Sequence, residues 1–304
     1  MWLDLQIFGF RALWSPYFLT FILGLALLYY LITGPYRHKF GGTIKPSARQ
    51  QIYFYTALLL LYIIKGSPID LLTHIMLSAH MTQLALFYLV FPIFILKGIP
   101  VWIWKKVVDA PIIRPLFNLF SQPIISLVLF NLLFSVYHMP VIFNFSKTSQ
   151  IAHTSISIVI LTSAFLMWWT VVAPIKERDK MIPLLKIGYI FANAALITPA
   201  CVLIIFATDP LFASYSSDGA WLQAMSLCVP GDVLQGIAID ISGAEMFSPM
   251  STMEDQQLGG IIMQTLITIV YGIMIARVFF NWFNLTSHQI DPLPKVSMSD
   301  ASLK

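Results

Sequence analysis

The sequence predicts an all-α integral membrane protein, a bundle of about seven transmembrane helices, from three observations. The 304 residues are 58% hydrophobic and only 11% charged, about half the charged share of soluble domains. Seven apolar runs approach or exceed the roughly 20 residues with which a helix crosses a bilayer. No Asp or Glu lies inside any of these runs, as expected where an unpaired carboxylate is costly.

Each run is predicted to be helical, because backbone amides in lipid must be paired within their own segment. The second run is short, and we expect it to recruit Gln51 and upstream residues, with Lys65 at its end. No linker rich in Gly, Ser or Pro divides the chain, which predicts a single domain over residues 1–304. The runs are Tyr17–Thr33, Ile52–Ile64, Leu71–Leu96, Pro123–Phe145, Ala152–Ile175, Ile182–Ala207 and Leu258–Phe283.

The positions of Lys and Arg predict an N-terminus outside and a C-terminus in the cytoplasm. Basic loops stay on the cytoplasmic side, and 15 of the 18 basic residues follow the first, third and fifth runs or lie at the end of the seventh run and beyond it. The net charge is +4, from 18 basic and 14 acidic residues. Since the basic residues form no single face, we expect no nucleic-acid partner.

The connection at residues 208–257 is predicted to be an acidic extracytoplasmic loop, because it has seven acidic residues and no Lys or Arg. Its apolar stretch Trp221–Val229 is expected to pack on the bundle. In one interpretation this is a solvated connection, which is acidic only because basic residues are concentrated in the cytoplasmic loops. In the other interpretation it is a loop that collects metal or docks a partner. Its acidic residues and methionines are Asp209, Asp218, Asp232, Asp240, Glu245, Glu254, Asp255, Met225, Met246, Met250 and Met253.

Four of the six histidines are predicted to meet in the outer half of the membrane. His74 and His80 lie early in the third run, His138 lies near the end of the fourth, and His153 lies at the start of the fifth. The predicted topology places all of these positions near the outer face. His80 lies about 120° around a helix from His74, so both face inward only in a crowded bundle or at a helix distortion.

Methionines accompany these histidines, and the combination favours copper. Imidazole and thioether suit copper, particularly soft Cu(I), whereas a hard cation such as Mg²⁺ prefers the carboxylates that these runs lack. We therefore predict a Cu(I) site, with Met139 as a lesser candidate ligand. The other predicted ligands are His74, His80, Met81, His138 and His153.

Several alternatives to this copper site stay open. In the first alternative the histidines form hydrogen bonds between neighbouring helices and have no other role. In the second they ligate a haem, and in the third they relay protons. No nucleophile–base pair, phosphate loop or dinucleotide glycine pattern is found, so we do not expect an enzyme. Cys201 and Cys228 are too few for a disulfide framework, although a single bridge between them stays open.

The residues at the start of the last run have two interpretations. Asp255, Gln256 and Gln257 lie at its predicted outer mouth, where they would support the metal ligands or position the loop. Equally, they would cap the helix and place acidic charge in its first turn. The Trp168–Trp169 pair is predicted to anchor the fifth run at the cytoplasmic interface.

Several motifs together resemble the CtaG family of cytochrome c oxidase assembly factors of Bacillus-type bacteria. They cover the chain from about the third run to the seventh. They are His80-Met81-Thr82-Gln83, Phe91-Pro92, Gly98-Ile99-Pro100, His138-Met139-Pro140, His153 ahead of Trp168-Trp169 and Pro174, and Asp255-Gln256-Gln257-Leu258-Gly259-Gly260.

The resemblance implies a multi-pass protein of the bacterial plasma membrane that assists the assembly of a haem–copper oxidase. It implies handling of copper on its way to an oxidase copper centre, with oxidase subunits or a copper chaperone as partners. Alternatives of other classes are a haem-handling protein and a scaffold that binds no metal. Homo-oligomerisation stays open.

Overall fold

A computed structural model describes residues 5–179, 181–229 and 250–287. Helices make up 81% of the structure, and the described residues include no strand. Short 3₁₀ turns lie at Gln6–Phe8 and Lys176–Arg178, and a π-helical turn at Leu86–Val90 joins two helices. The helices are α1 Gly9–Trp14, α2 Pro16–Thr33, α3 Ala48–Gly66, α4 Pro68–Ile75, α5 Leu77–Ala85, α6 Phe91–Gly98, α7 Val101–Val108, α8 Ile113–Phe120, α9 Pro123–Tyr137, α10 Pro140–Ser146, α11 Gln150–Val172, α12 Pro183–Ile205, α13 Ala213–Ser216, α14 Asp218–Met225 and α15 Thr252–Ser287.

The described helices form five to seven candidate membrane spans, judged by length and composition. Five are long and apolar enough by themselves, namely Gln6–Thr33, Leu77–Gly98, α11, α12 and Thr252–Leu285. Two bent pairs raise the number to seven if each is one span: α3 with α4, bent by 47°, and α8 with α9, bent by 85°. The all-helical, multi-pass prediction therefore agrees with the structure.

The second span is longer than its apolar run, as the sequence analysis expects. Ser47 begins α3 with a capping box, in which the Gln50 amide donates to the Ser47 hydroxyl and the Ser47 amide donates to the Gln50 side chain. This reciprocal cap satisfies two amides at the helix start. The helix therefore includes polar residues upstream of Ile52 and reaches 19 residues.

The predicted third run, Leu71–Leu96, is not one helix. Met76 has an extended backbone, with φ −123° and ψ 132°, so Leu71–Ile75 belong to α4 and the crossing helix begins at Leu77. Asp255, at the start of α15, stabilises this break. Its carboxylate accepts from the Leu77 amide at 2.6 Å and the Ser78 amide at 3.3 Å, and also from the Ser78 hydroxyl, which satisfies amides that a helix start leaves free.

The predicted fourth run, Pro123–Phe145, also ends early, because α9 stops at Tyr137. Met139 is extended, with φ −69° and ψ 132°, and Pro140 opens the next helix. The proline ring disfavours helical backbone in the residue before it. His138 therefore lies at the C-cap of α9 and not within a continuous span.

Two glycines let the last helix approach its neighbours closely. A Cβ atom at Gly259 would lie 3.2 Å from the Cα of Ser78, and one at Gly260 would lie 2.7 Å from a side-chain carbon of Ile205. Helices in membranes approach most closely at such small residues. The Gly259-Gly260 pair thus packs α15 against both α5 and α12, next to the break that Asp255 stabilises.

Two tryptophan-containing segments are buried. Trp221 and Met225 of α14 pack with Leu71 and Ile75 of α4, so the described part of the Trp221–Val229 stretch packs on the bundle as expected. The anchoring interpretation of Trp168 is wrong, because this side chain is fully buried and its indole N–H donates to the Tyr88 carbonyl in the π-helical turn at 3.2 Å.

Candidate metal centre

The four predicted histidines lie at one end of the bundle in two groups. His74 of α4 and His153 of α11 face each other, with ring centroids 6.0 Å apart; we call them the pocket pair. His80 of α5 shares a hydrogen bond of 3.1 Å with the Tyr137 hydroxyl, and Tyr137 precedes His138. We call His80 and His138 the core pair.

The break at Met76 explains why His74 and His80 both face inward. On a continuous helix they would lie on different faces. Because α4 ends at Ile75 and α5 begins at Leu77, each histidine is placed by its own helix. Of the two possibilities in the sequence analysis, a crowded bundle or a helix distortion, the structure contains the distortion, and both side chains are buried.

The core pair lies among aromatic rings. The His138 Nδ1–H donates to the Phe134 carbonyl at 2.7 Å, which leaves Nε2 with a free lone pair in the neutral ring. The Phe134 ring also packs on the His138 ring, with ring centroids 4.2 Å apart. The Phe143 ring meets the His80 ring edge-on, with ring centroids 5.2 Å apart. This environment holds both imidazoles in fixed orientations.

The pocket pair lines a cavity of about 400 Å³ between α3, α4, α11 and the residues after α14. Most of its lining is apolar, and Leu61, Phe87 and Phe91 are examples. Lys65, Asp70 and Cys228 add polar groups to the same wall. A mostly apolar cavity with a few convergent polar groups is the usual form of a small-ligand site.

Each of the four histidines has one buried ring nitrogen without a hydrogen-bond partner among the described residues. The free nitrogens are Nδ1 of His74, His80 and His153 and Nε2 of His138. Buried polar atoms are nearly always paired, so four free imidazole nitrogens at one end of a bundle are unusual. A neutral imidazole nitrogen is a common metal ligand, and the donor set therefore fits a metal ion.

The structure adds two residues that the sequence analysis missed. The potential ligand atoms of Asp70, His74 and Cys228 all lie within 4.8 Å of one another, and Cys228 Sγ is 3.9 Å from an Asp70 carboxylate oxygen. We call these three residues the Asp70 cluster. Cys201 and Cys228 are both free thiols, so the structure contains no bridge between them.

A signal for Asp70 was present in the sequence, whereas none pointed to Cys228. Asp70 precedes His74 by four residues, a spacing that places both on one helix face. It lies one residue before the predicted run, so the search for carboxylates within the runs excluded it. Cys228 lies 158 residues from Asp70 in the sequence, and no local pattern relates positions so far apart.

Asp70 belongs to a polar network as well as to the cluster. Gln83 Nε2 donates to the Asp70 carboxylate at 2.7 Å, and Lys65 Nζ donates to Gln83 Oε1 at 2.9 Å. Lys65 Nζ also lies 3.7 Å from the same carboxylate. The negative charge is therefore partly balanced by one lysine and fixed in position by one amide.

A second lysine is buried nearby. The Lys147 ammonium lies 5.7 Å from the centre of the Phe143 ring and 5.9 Å from that of Tyr215. It has no hydrogen-bond partner among the described residues, and burial lowers its pKa to about 8. Burial and the Asp70 charge raise the pKa of the Cys228 thiol, so this thiol is protonated at neutral pH when no metal is bound.

The two predicted methionine ligands differ in exposure. Met81 is fully buried in the main core, whereas Met139 is 55% exposed. The structure therefore encloses only Met81 with the histidines. Of the loop methionines, Met246 lies outside the described residues, as do Asp232, Asp240 and Glu245.

Two of the three polar residues in the first turns of α15, Asp255 and Gln256, bind the backbone of other segments. Asp255 binds the start of α5, as described above. Gln256 Oε1 accepts from the Leu211 amide at 2.7 Å, and its Nε2 donates to the Ile204 carbonyl at 3.5 Å. Gln257 is partly buried. Helix capping describes Asp255 correctly, except that the helix it caps is α5 and not its own.

Comparison with known proteins agrees with the motifs. The family of cytochrome c oxidase caa3 assembly factors, Caa3_CtaG, matches residues 27–284, which is most of the chain. Searches of curated proteins and of solved structures found no match. The resemblance carried by the histidine and glycine motifs is therefore confirmed, and the chain belongs to the Caa3_CtaG family of cytochrome c oxidase caa3 assembly factors.

Proposed function

We propose that this protein assists the assembly of a haem–copper oxidase by holding copper, as Cu(I), at the pocket pair and passing it to the oxidase. The family supports the assembly role. The copper role is supported chiefly by the free, buried ring nitrogens of His74 and His153, which come from different helices and face one cavity. Cu(I) is the cargo, and the chain is not proposed to catalyse a reaction.

Exchange of ligands is the step that moves the ion. Cu(I) accepts two or three imidazole or sulfur ligands, so an incoming ligand from a partner can bind before the last ligand on this chain dissociates. The pocket pair lines open space, whereas aromatic rings pack against the core pair. We therefore propose that copper enters and leaves through the pocket. The core pair fixes the helix ends around this pocket.

The charge distribution supports a location for this exchange. With the N-terminus outside and the C-terminus in the cytoplasm, the histidine end faces the extracytoplasmic side. The partners proposed there are an oxidase subunit as acceptor and a copper chaperone as donor. The acidic loop at residues 208–257 supplies the charge complementarity that steers a basic or metal-loaded partner. In this proposal the protein is a multi-pass protein of the bacterial plasma membrane.

The test is the copper content of the oxidase made in cells that carry variants of this chain. The His74→Ala/His153→Ala double variant is expected to give oxidase with normal haem and strongly reduced copper. His38→Ala is the matched control, because His38 is exposed and remote from the pocket in sequence. Excess copper in the medium is expected to restore part of the oxidase activity of the double variant.

Three outcomes would contradict the proposal. Full copper loading of the oxidase in the double variant would show that the pocket does not handle the metal. An intense Soret band in the purified protein would favour haem handling. Normal oxidase maturation with all four histidines replaced would favour a scaffold without metal. Membrane levels of each variant, measured by immunoblot, separate these results from simple loss of the protein.

A further inference from the structure

We propose that Cu(I) in this pocket is bound by the Cys228 thiolate together with His74, with the Asp70 carboxylate beside the ion as its charge partner, and that binding releases the thiol proton. The inference rests on the proposed copper function and specifies its ligands. The copper site predicted from the sequence consists of imidazoles and thioethers, whereas the site inferred here contains a thiolate. It also gives the extracytoplasmic loop a direct role, since Cys228 lies in the 208–257 connection and the other two residues lie on α4.

The distances fit one small ion. Copper–ligand bonds to nitrogen, oxygen and sulfur are about 2.0 to 2.3 Å, so ligand atoms around one ion lie about 3 to 4.5 Å apart. The observed separation of 3.9 Å between Cys228 Sγ and the Asp70 carboxylate lies in this range. The potential ligand atoms of all three residues lie within 4.8 Å of one another, so the carboxylate lies next to an ion that the thiolate and the imidazole hold.

A second observation points to a ligand at the same place. His74 is 3% exposed and its Nδ1 lacks a partner in the described part of the chain. His153 Nδ1 is also free, and its ring lies 6.0 Å from that of His74. The cluster therefore combines a carboxylate, a thiol and a buried imidazole on one cavity wall, with the His153 imidazole in reach as a later ligand.

The charges favour a monovalent ion. The Asp70 carboxylate is already paired with Lys65, so the cluster itself is close to neutral while Cys228 is a thiol. Binding of Cu(I) breaks the S–H bond, forms an S–Cu bond and releases one proton to the solvent, with no change in oxidation state. The Cu(I) ion replaces the thiol proton, so one positive charge replaces another and the buried net charge is unchanged. A divalent ion such as Zn²⁺ would leave an extra positive charge beside Lys65 and the buried Lys147.

The decisive experiment compares the two cysteines of the purified, detergent-solubilised chain. Cys228→Ser removes the proposed thiolate, and Cys201→Ser is the matched control, because Cys201 is a buried free thiol in the main core. Affinity for Cu(I) is measured by competition with a bicinchoninate buffer under reducing, anaerobic conditions. We expect about a hundredfold weaker binding in Cys228→Ser and less than about twofold change in Cys201→Ser, which correspond to about 2.7 and less than 0.4 kcal/mol.

Three further measurements exclude indirect effects. X-ray absorption of the copper-loaded protein is expected to show a Cu–S shell near about 2.2 to 2.3 Å that disappears in Cys228→Ser and persists in Met81→Leu. Titration in weak buffer at pH 7 is expected to release about one proton per Cu(I) from the wild type and almost none from Cys228→Ser. Thermal unfolding of each variant in detergent reports whether the fold is retained.

The outcomes separate this inference from the proposed function. A Cu–S shell, proton release and affinity that all survive in Cys228→Ser would overturn the thiolate site and leave copper handling intact. Tighter binding of Zn²⁺ than of Cu(I) at equal free concentrations would overturn the choice of ion. Two results together would overturn the proposed function itself. The purified wild-type protein would bind no Cu(I), and the oxidase of cells that lack this chain would contain normal copper.

Discussion

The pocket pair and the core pair use the same residue type in opposite ways. His74 and His153 line a cavity and approach a carboxylate, a thiol and a lysine. His80 and His138 lie at the same end of the bundle, but a tyrosine hydroxyl and a main-chain carbonyl hold their rings among phenylalanines. The comparison teaches that an intramembrane histidine indicates a ligand site only when charged or exchangeable groups and free space lie beside it.

The largest expected effect concerns Asp255, which caps the start of α5, the helix that carries His80. Asp255→Ala removes a buried carboxylate that accepts from the start of α5, so we expect a loss of about 3 kcal/mol in the free energy of unfolding. Glu254→Ala is the matched control, because Glu254 is exposed and accepts from the Ser251 amide and hydroxyl at the start of its own helix, and a much smaller loss is expected. Thermal unfolding in detergent measures both; equal small losses would contradict the assigned capping role.

The second effect distinguishes the two pairs by metal affinity. His74→Ala/His153→Ala is expected to weaken Cu(I) binding by about a hundredfold, or about 2.7 kcal/mol, whereas His138→Ala changes it by less than about threefold. The measurement is chelator competition on purified protein. If His138→Ala has the larger effect, the core pair is the binding site and the comparison is reversed.

The third effect concerns Lys147, the buried lysine beside Phe143 and Tyr215. Burial lowers the pKa of Lys147 to about 8 from its usual 10.5, so the unfolded chain binds more protons than the native one between these pH values. The free energy of unfolding of the wild type therefore rises with pH across this interval. Lys147→Met is expected to stabilise the protein by about 2 kcal/mol at pH 7, and this gain shrinks from pH 8 to 10.

Melting temperatures of Lys147→Met and wild type at pH 7 and pH 10 test this prediction. A gain that is independent of pH would show that Lys147 is paired in the native protein. Lys39→Met is a suitable control, because Lys39 is exposed and its replacement has no burial cost to remove.

The smallest effect concerns the hydrogen bond between His80, a member of the core pair, and Tyr137. Tyr137→Phe leaves His80 Nε2 without its partner, and we expect a loss of about 1 kcal/mol with little change in Cu(I) affinity. Tyr17→Phe, at a tyrosine that is 72% exposed, is expected to be neutral. A large loss of copper in Tyr137→Phe would place His80 in the metal site.

Much of the architecture followed from the sequence, because it depends on local properties. Apolar length and the requirement for internal backbone pairing predicted the helices, and the angle between His74 and His80 indicated either a crowded bundle or a helix distortion. The exact break at Met76 was missed, since it depends on a carboxylate at Asp255. The orientation in the membrane stays a prediction from the charges of the loops.

The site was predictable only in part, for the same reason. Histidines at predicted helix ends signalled that one end of the bundle is polar. Their division into two pairs depends on which helix faces contact each other, and no periodicity specifies that. Asp70 was detectable through its spacing from His74, whereas Cys228 became a candidate only when the structure placed it beside α4.

The cap on α5 has a consequence for biogenesis. The carboxylate of Asp255 lies 178 residues after the Leu77 amide that it accepts from, so during synthesis the start of α5 lacks its partner until the final helix enters the bilayer. The polar end of the bundle is therefore completed last. A nascent or truncated chain without α15 would leave the Leu77 and Ser78 amides at the start of α5 without this acceptor.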